Sequence, residues 1–306
     1  MTAISNYVVA RAEKGGARTP MFVNTAARAR IARWYETFRA ALPFENETRT
    51  VETGAGATHV LIAGPADAPP LVVLHGAMAS SAHVARELGS LVGRYRIYAL
   101  DVVGQSVMSV DRRLDLDADE GYPRWVMDAT TALGLERFAL YGVSWGGFVS
   151  LKTASAFPAA VSALVLYVPA GIVAGPAWRG FTEVGWPLMV YRFSPSAARL
   201  ERLVEAMFSS YDETWARYFG DALLDYRLDM RVPPLFSSVA YDGPLLVFGG
   251  DRDVSFPGSA LLERMRVLAP HAEVELLANC KHCPPFDAAF REKVASRVGA
   301  FLASNG

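Results

Sequence analysis

The sequence predicts an α/β fold with a mostly parallel sheet of eight strands, helices on both faces and an inserted helical cap. Short runs rich in branched residues alternate with helix-length amphipathic segments, as in strands joined by crossover helices. The chain has 306 residues, of which 52% are hydrophobic and 20% charged, which is enough apolar material for a sheet buried on both faces. One interval between strands is too long for a single crossover, which indicates an insertion.

The first part of the chain precedes the alternating pattern. Residues 1–23 are predicted to form a flexible arm, and residues 25–42 a helix that ends before Pro43. Residues 48–52 and 58–63 are predicted strands, and the glycine-rich turn GAGA separates them. We therefore expect a hairpin at one edge of the sheet.

Six further runs are predicted to form buried strands: LVVLH (71–75), YRIYALD (95–101), FALYGV (138–143), SALVLYV (162–168), PLLVFGG (244–250) and EVELLA (273–278). We assign residues 24–170 and 236–306 to this α/β core. The insertion, residues 171–235, is predicted to be a helical cap and is rich in aromatic residues. Most of these should form the core of the cap itself, and a minority should line a pocket.

Charge and composition exclude several classes of function. The 30 basic and 31 acidic residues form no long run of one sign, so we expect no nucleic-acid or membrane partner and favour a small, roughly neutral molecule. The N-terminus has no apolar stretch of signal-peptide length, and the longest apolar run, around 163–174, contains proline and glycine and is too short to span a bilayer. The expected location is cytoplasmic.

The string FALYGVSWGG carries the strongest chemical information. A buried strand runs through Gly142 and Val143 into Ser144, and a helical run begins directly after it. Such a strand-to-helix elbow holds a serine hydroxyl above the sheet. Gly142 and Gly146 are expected there because a side chain on either would obstruct the close approach of strand and helix. Ser144 is therefore the predicted nucleophile.

A serine nucleophile requires a histidine base and an acid, both at strand ends later in the chain. Of the five histidines, only His282 lies in the loop between the last strand and the last helix. The strand PLLVFGG leads into both Asp251 and Asp253, and either carboxylate could orient the histidine. The other would then cap the turn.

The turn after LVVLH is predicted to complete the site. Its Ala77 N–H, together with the Trp145 N–H, should point at a developing oxyanion. We also expect substrate contacts from neighbouring residues of this turn and from the cap; the candidates are His75, Gly76, Met78, Trp178 and Trp186.

No cofactor or metal is expected. Cys280 and Cys283 bracket His282 as CKHC, but a structural zinc needs four ligands and no second pair of this kind follows. A disulfide between the two cysteines and simple packing of both thiols remain alternatives. A glycine motif that opens a helix, as nucleotide sites require, is absent from the sequence.

Taken in order, the elements HGA, GVSWGG, GGDRD and CKHC resemble the α/β-hydrolase superfamily from about Thr48 to the end of the chain. In that family the acid follows a Gly-x-x-Asp pattern with a proline four residues later, which Asp253 and Pro257 match. The stretch THVLIAGPADAPPLVVLHGAMASS is similar to bacterial carboxylesterases of the naproxen-esterase kind. Two departures occur: LDVVGQS lacks the second glycine of the usual turn, and Lys281 replaces the glycine that often precedes the histidine.

The resemblance implies a serine hydrolase that cleaves carboxylic esters of medium size through an acyl-enzyme. Lactones, thioesters, perhydrolysis and C–C bond cleavage are alternatives on the same scaffold. Dehalogenase and epoxide hydrolase chemistry is disfavoured because both need an aspartate at position 144. From a different class, a ligand-binding receptor that has kept the hydrolase pocket is the competing hypothesis.

Overall fold

A computed structural model of the protein describes residues 20–116, 121–227 and 231–305. These residues form one eight-stranded sheet with helices on both faces. The strands are β1 (Asn46–Thr53), β2 (Gly56–Ala63), β3 (Pro70–Leu74), β4 (Arg96–Leu100), β5 (Phe138–Val143), β6 (Val161–Tyr167), β7 (Leu245–Gly250) and β8 (Glu273–Leu277). The helices are α1 (Thr25–Ala40), α2 (Ser81–Glu87), α3 (Tyr122–Ala132), α4 (Trp145–Ala156), α5 (Ala177–Arg179), α6 (Trp186–Phe193), α7 (Ala197–Met207), α8 (Glu213–Asp225), α9 (Gly258–Leu268) and α10 (Ala288–Asn305).

The topology confirms the predicted fold class. The strand order is β1-β2-β4-β3-β5-β6-β7-β8, and β1 and β2 form the expected antiparallel hairpin at one edge. Strand β2 is also antiparallel to β4, whereas all pairs from β4 to β8 are parallel. The carboxyl ends of the parallel strands therefore meet at one edge, where an open α/β sheet places its ligand site.

Both faces of the sheet are buried, which explains why its strands are continuous apolar runs. In β3, Leu71 and Val73 join the core on one face, while Val72 and Leu74 join the core on the other. All four side chains are fully buried. Successive side chains of a strand alternate between faces, so a strand covered on both sides needs apolar residues at every position.

The flexible arm predicted for residues 1–23 can be compared with the structure only from residue 20 onwards, because residues 1–19 lie outside the described residues. For Met21 and Phe22 the prediction of a flexible arm is wrong. Both side chains are buried, the Met21 N–H donates to the Asp111 carboxylate at 2.9 Å, and the Phe22 ring lies 4.7 Å from that of Tyr226. Two apolar side chains that fill the gap beside the end of α8 hold this segment in place.

Between β6 and β7 the described residues contain the four α-helices α5 to α8 and a π-helical segment, Gly180–Gly185. The last of them packs onto the core rather than standing apart from it. Trp34 of α1 donates to Asp221 of α8 at 2.7 Å, and Arg30 pairs with the buried Asp225 at 2.5 Å. Tyr218 of α8 belongs to the main core cluster. Of the helices in the described residues, none is long and apolar enough to cross a bilayer.

Candidate active site

Three side chains meet above the carboxyl ends of the parallel strands. Ser144 follows β5, Asp253 follows β7 and His282 lies in the loop after β8. The Ser144 Oγ lies 3.0 Å from the His282 Nε2, and the His282 Nδ1 lies 2.9 Å from the Asp253 Oδ2. Side chains separated by 138 and 29 residues in sequence thus form one continuous hydrogen-bonded chain.

Ser144 occupies a strained turn between β5 and α4. Its φ of 50° and ψ of −112° are unfavourable for a residue with a side chain. The flanking glycines permit this turn: a Cβ on Gly146 would lie 2.3 Å from the Leu74 carbonyl oxygen, and one on Gly142 would lie 2.5 Å from the Gly146 oxygen. Both contacts are with backbone atoms, so no side-chain rearrangement could relieve them. The glycines expected from the sequence are therefore sterically required.

The two carboxylates after β7 have different surroundings. The second oxygen of Asp253, Oδ1, accepts hydrogen bonds from the Ser255 N–H at 2.8 Å and the Phe256 N–H at 3.0 Å. Asp253 is 4% exposed, so these bonds hold a buried carboxylate in one orientation towards His282. Asp251 instead accepts the Cys280 N–H at 2.9 Å and ties the loop after β7 to the loop after β8.

The Asp253 carboxylate tunes the imidazole beside it. Burial disfavours the charged form of His282, but the charge of Asp253 and the hydrogen bond to it outweigh burial and raise the pKa of His282 above its usual 6.5. The ring of Phe256 packs edge-on against the imidazole, with centroids 5.2 Å apart. The imidazole is thus basic, shielded and oriented.

The inserted helices hold the loop that carries His282. The Cys283 N–H donates to the Met207 carbonyl at 2.9 Å, and the Ser209 N–H donates back to the Cys283 carbonyl at 3.0 Å. The Ser209 hydroxyl accepts the Lys281 N–H at 2.8 Å and donates to the Cys283 carbonyl at 2.7 Å. Ser209 therefore fixes the residues on both sides of His282, a link that no local sequence pattern indicated.

Two backbone donors border Ser144. Trp145 is the first residue of α4, so its N–H precedes the helical hydrogen-bond ladder, and Ala77 lies in the exposed turn after β3. Within residues 20–116, 121–227 and 231–305, neither N–H has a protein acceptor. A Cβ on Gly76 would lie 3.4 Å from the Ser144 Cβ, so the turn closely approaches the serine. Met78 completes it in the left-handed region, with a φ of 53°.

His75 shapes this turn. Its Nε2 accepts the Val102 N–H at 2.9 Å, which leaves Nδ1 to donate to the Gly76 carbonyl at 2.7 Å. Burial lowers the pKa of His75, in keeping with the neutral ring that this pattern requires. Because both ring nitrogens bond to the backbone, His75 supports the turn and has no free nitrogen for a substrate.

A cavity of about 220 Å³ opens beside Ser144. Its walls are mostly apolar and come from the turn after β3, from α2, from the inserted helices and from the start of α10. The principal wall residues are Gly76, Ala77, Met78, Val84, Met207, Phe208, Trp215, Phe219, His282, Cys283, Phe286 and Phe290. The wall of the cavity includes one ion pair, in which the Arg291 Nε lies 3.1 Å from the Glu87 carboxylate.

The expectation that Trp178 and Trp186 line the pocket is not met by this cavity. They are 69% and 56% exposed and lie on the outer part of the insertion. Trp215 and Phe219 of α8 take that place instead. Aromatic content identified the insertion, but only the packing of α8 against α1 and the core determines which of its rings face inwards.

The cysteines that bracket His282 are both free thiols. Cys280 is buried with its Sγ 3.3 Å from the Tyr167 hydroxyl, and Cys283 lines the cavity. Burial raises the pKa of both thiols. In the part of the chain that the structure describes, no group of three or more histidine, cysteine or carboxylate side chains could hold a metal ion.

Comparisons with known proteins agree with this fold. Residues 69–232 match the family described as the α/β hydrolase fold. The uncharacterised carboxylesterase nap of Bacillus subtilis is 32% identical over 141 residues, 45% of this chain and 47% of that protein. Carboxylesterase YbfK of the same organism is 33% identical over 142 residues, with the same shares of both chains. The matched region thus spans about half the length of these curated relatives.

Solved structures extend the likeness over most of the chain. The crystal structure of naproxen esterase (carboxylesterase NP) from Bacillus subtilis superposes with a TM-score of 0.77 at 22% identity, covering 91% of this chain and 99% of that one. At that identity the likeness concerns the fold. Since the family match covers more than half of the 306 residues, and the sheet order and strand-end site agree with it, the chain belongs to the α/β hydrolase fold family.

Proposed function

We propose that the chain is a serine hydrolase that cleaves carboxylic esters of medium size through an acyl-enzyme on Ser144. The observation that carries this proposal is the unbroken hydrogen-bonded chain from the Ser144 Oγ through His282 to the Asp253 carboxylate. Nucleophile, base and orienting acid in this geometry are the requirements of acyl transfer. The carboxylesterases among its relatives point to the same chemistry.

In the first half-reaction the His282 Nε2 takes the proton of Ser144 as its oxygen bonds to the ester carbonyl carbon. The carbonyl π electrons move to the oxygen, which becomes an oxyanion. Asp253 accepts the Nδ1–H and stabilises the imidazolium. As the tetrahedral intermediate collapses, the bond to the alcohol oxygen breaks and His282 gives that oxygen its proton. Water then attacks the acyl-enzyme by the same steps, which releases the acid and restores Ser144.

The oxyanion is assigned to the N–H groups of Ala77 and Trp145. Both lack protein acceptors among the described residues; Trp145 directly follows Ser144, and Ala77 lies in the turn that approaches the serine at Gly76. Hydrogen-bond donors that are already in position before the reaction each stabilise the transition state by about 2.7–4 kcal/mol. The buried His75, through the Gly76 carbonyl, holds the turn that presents the Ala77 N–H.

The ester substrate is a small, mainly apolar molecule in this proposal. A cavity of about 220 Å³ far exceeds the roughly 10–15 Å³ that one water needs, and its walls are chiefly aromatic and aliphatic. Residues 171–235 act as a cap whose inner face, through Phe208, Trp215 and Phe219, selects the acyl or alcohol group.

The activity is tested with p-nitrophenyl esters from acetate to octanoate, followed by labelling with an active-site serine phosphonate. We expect saturable hydrolysis and a mass increase on the peptide that contains Ser144. Matched thioesters and lactones would identify a preference for another acyl group. Tight binding of the esters without turnover would contradict the proposal and favour a receptor.

The cap is tested with a matched pair of variants. Phe219 is 9% exposed and lines the cavity, whereas Trp178 is 69% exposed. Phe219→Ala should raise kcat/KM for branched, bulky acyl esters relative to acetate by about tenfold, in the range by which hydrophobic pockets discriminate. Trp178→Ala should leave this ratio unchanged within about twofold, because exposed substitutions have little effect on structure. Equal ratios in both variants would contradict the role of the cap.

A further inference from the structure

The turn after β3 carries the proposed oxyanion donor, the Ala77 N–H, and the inserted helices contact this turn directly. Within the turn, the Ala79 N–H donates to the Gly76 carbonyl at 3.3 Å. In the part of the chain that the structure describes, one hydrogen bond from outside the turn reaches the backbone of residues 77–79. The Tyr218 hydroxyl of α8 donates it to the Met78 carbonyl. A side chain of the cap therefore holds the residue next to the proposed donor.

Met78 has a backbone conformation that its surroundings must maintain. Its φ of 53° lies in the left-handed region, which is unfavourable for a residue with a side chain. Such a conformation persists only where neighbouring groups determine it. The Met78 side chain packs against the core on one face of the sheet and against the apolar cluster of the cap, and Tyr218 holds its carbonyl. Without the tyrosine hydroxyl, this peptide group and the adjoining Ala77 N–H would be freer to move.

Tyr218 is itself held firmly on α8. Its side chain is buried, and burial raises its pKa above the usual 10, so the hydroxyl keeps the proton that it donates. Three rings pack around its own: those of Trp34, Phe38 and His83. Asp221 and Asp225 follow Tyr218 at three and seven residues, on the same face of α8, and bond to Trp34 and Arg30 of α1. This face of α8 is therefore tied to α1 beside the hydroxyl that reaches Met78.

We propose that Tyr218 is a positioning residue for the oxyanion: through the Met78 carbonyl, its hydroxyl sets the place of the Ala77 N–H. This inference rests on the proposed function, which it makes more specific. It gives the inserted helices a part in the chemical step in addition to the choice of substrate. A cap that only lined the cavity would affect how the ester binds, whereas this contact affects how well the charge on the carbonyl oxygen is stabilised as it develops.

A role as a cavity wall is the competing explanation, because Tyr218 also lines the cavity beside Ser144. The two roles predict different kinetic changes. A wall contacts the ester equally in the ground state and in the transition state, so its loss raises KM and leaves kcat unchanged. A residue that positions an oxyanion donor acts in the transition state, so its loss lowers kcat and leaves KM nearly unchanged.

The test replaces Tyr218 by phenylalanine, which removes the hydroxyl and keeps the ring. Removal of an oxyanion donor lowers kcat by about 10²–10³, and Tyr218→Phe, which only displaces the donor, should lower kcat for p-nitrophenyl butyrate by about tenfold. KM should stay within about threefold of wild type.

Tyr191→Phe is the matched control for this change. Tyr191 is also buried, and its hydroxyl lies beside Gly220 of the same helix without a hydrogen bond among the described residues. Because no hydrogen bond is lost, kcat and KM should both stay within about twofold of wild type.

A second reporter is inhibition by a trifluoromethyl ketone with the same propyl group as the butyrate. The Ser144 oxygen bonds to its carbonyl carbon, the carbonyl π electrons move to the oxygen, and the serine proton passes to His282. The adduct thus carries an oxyanion where the reaction would form one. Its inhibition constant should rise in Tyr218→Phe by about the factor by which kcat/KM falls, and should not change in Tyr191→Phe. The pH midpoint of kcat/KM should stay as in wild type, because the bond between His282 and Asp253 is untouched.

Trp34→Phe tests the support behind Tyr218. It removes the indole N–H that bonds to Asp221 and keeps an aromatic ring, so kcat should fall in the same direction by a smaller factor, about two- to fivefold. If Tyr218→Phe fails to fold, as judged by its melting temperature and circular dichroism, Trp34→Phe decides the question, and an unchanged kcat in that variant overturns the inference.

The inference is also overturned if kcat of Tyr218→Phe stays within about threefold of wild type, if the loss appears in KM instead, or if Tyr191→Phe loses as much rate. Failure of the proposed function is visible separately, in a wild-type protein that turns over no ester and forms no adduct with the ketone, and the inference would fail with it. An active wild-type protein beside an equally active Tyr218→Phe would remove the positioning role alone.

Discussion

The strand-end loops and the inserted helices line the same cavity, but different forces hold them. In the loops after β5, β7 and β8, hydrogen bonds orient the key side chains: the Ser255 and Phe256 N–H groups hold Asp253, and Asp253 in turn holds His282. In the insertion, rings such as Phe219 and Phe208, 5.1 Å apart, are positioned by packing. Hydrogen bonds fix orientation to a few tenths of an ångström, whereas packing fixes volume and shape.

One junction joins the two regions at the histidine loop. Residues 207–209, the end of α7 and the two residues after it, pair with residues 281–283 on either side of the catalytic candidate His282. The insertion therefore shapes the pocket and also steadies the histidine loop. From this comparison we expect changes at strand ends to affect rate by orders of magnitude, changes at the junction to affect rate moderately, and changes on the inner face of the cap to affect selectivity.

The largest effect is expected at the elbow. Ser144→Ala removes the proposed nucleophile without changing the glycines that permit the turn, so activity should fall by about 10⁴–10⁶ while the melting temperature stays nearly constant. Ser150→Ala on α4, the helix that follows Ser144, is the matched control, because the buried Ser150 hydroxyl has no partner among the described residues. The measurement is kcat for a p-nitrophenyl ester. Full activity in Ser144→Ala would rule out Ser144 as the nucleophile.

Next in size is the carboxylate that orients the base. Asp253→Asn should lower kcat by about 10⁴, because an amide favours the wrong imidazole tautomer. Asp251→Asn is its counterpart on the same loop: it weakens the bond to the Cys280 N–H and should lower stability by about 1 kcal/mol with little loss of rate. The measurements are kcat and the melting temperature of both variants. A large rate loss in the Asp251 variant, with Asp253→Asn nearly normal, would reverse the assignment.

The strand-end chemistry was predictable because it is encoded locally. Three short patterns each predict one local arrangement of the backbone: GVSWGG, HGA and the position of His282 after the last strand. By residue type either Asp251 or Asp253 could serve as the acid; the position of Asp253 further into the loop and the spacing of the family it resembles favour Asp253. Their hydrogen bonds now show distinct surroundings, and the catalytic roles themselves stay predictions.

The insertion was predictable only in outline. Its length and aromatic content identified it, yet Trp178 and Trp186 face outwards while Trp215 lines the cavity. Which ring points inwards depends on contacts such as Trp34 with Asp221, which join residues 187 positions apart and leave no local pattern. The burial of Phe22 beside Tyr226 and the pairing of Ser209 with the histidine loop were missed for the same reason.

A change at the junction between residues 207–209 and residues 281–283 is expected to have an intermediate effect on the rate. Ser209→Ala removes the hydroxyl that bonds to Lys281 and Cys283, and displacement of His282 by about 1 Å could cost up to roughly 10²-fold in rate. We expect kcat to fall 10- to 100-fold with KM within about threefold, and Ser209→Thr, which keeps the hydroxyl, to restore most of the rate. Ser210→Ala, which loses only the bond to the Phe286 N–H, is the control. An unchanged kcat in Ser209→Ala would show that the Ser209 hydroxyl is not needed to position His282.

The smallest effect concerns the pH dependence of the strand-end site. His282 acts as a base only when neutral, and Asp253 raises its pKa above 6.5. On the acid side of that pKa, kcat/KM should therefore fall about tenfold per pH unit, with its midpoint above 6.5. Asp253→Asn removes the charge and the acceptor, so the midpoint of its residual activity should move to lower pH, since the burial that remains favours neutral imidazole.

Ser209→Ala separates the two regions in the same measurement. Loss of the Ser209 hydroxyl should lower the rate and leave the midpoint of the pH profile as in wild type, because the charge beside the imidazole is unchanged. Circular dichroism across the pH range excludes unfolding as the cause of lost activity. A midpoint below 6.5 in wild type, or one that Asp253→Asn leaves in place, would mean that the carboxylate orients the imidazole without tuning it.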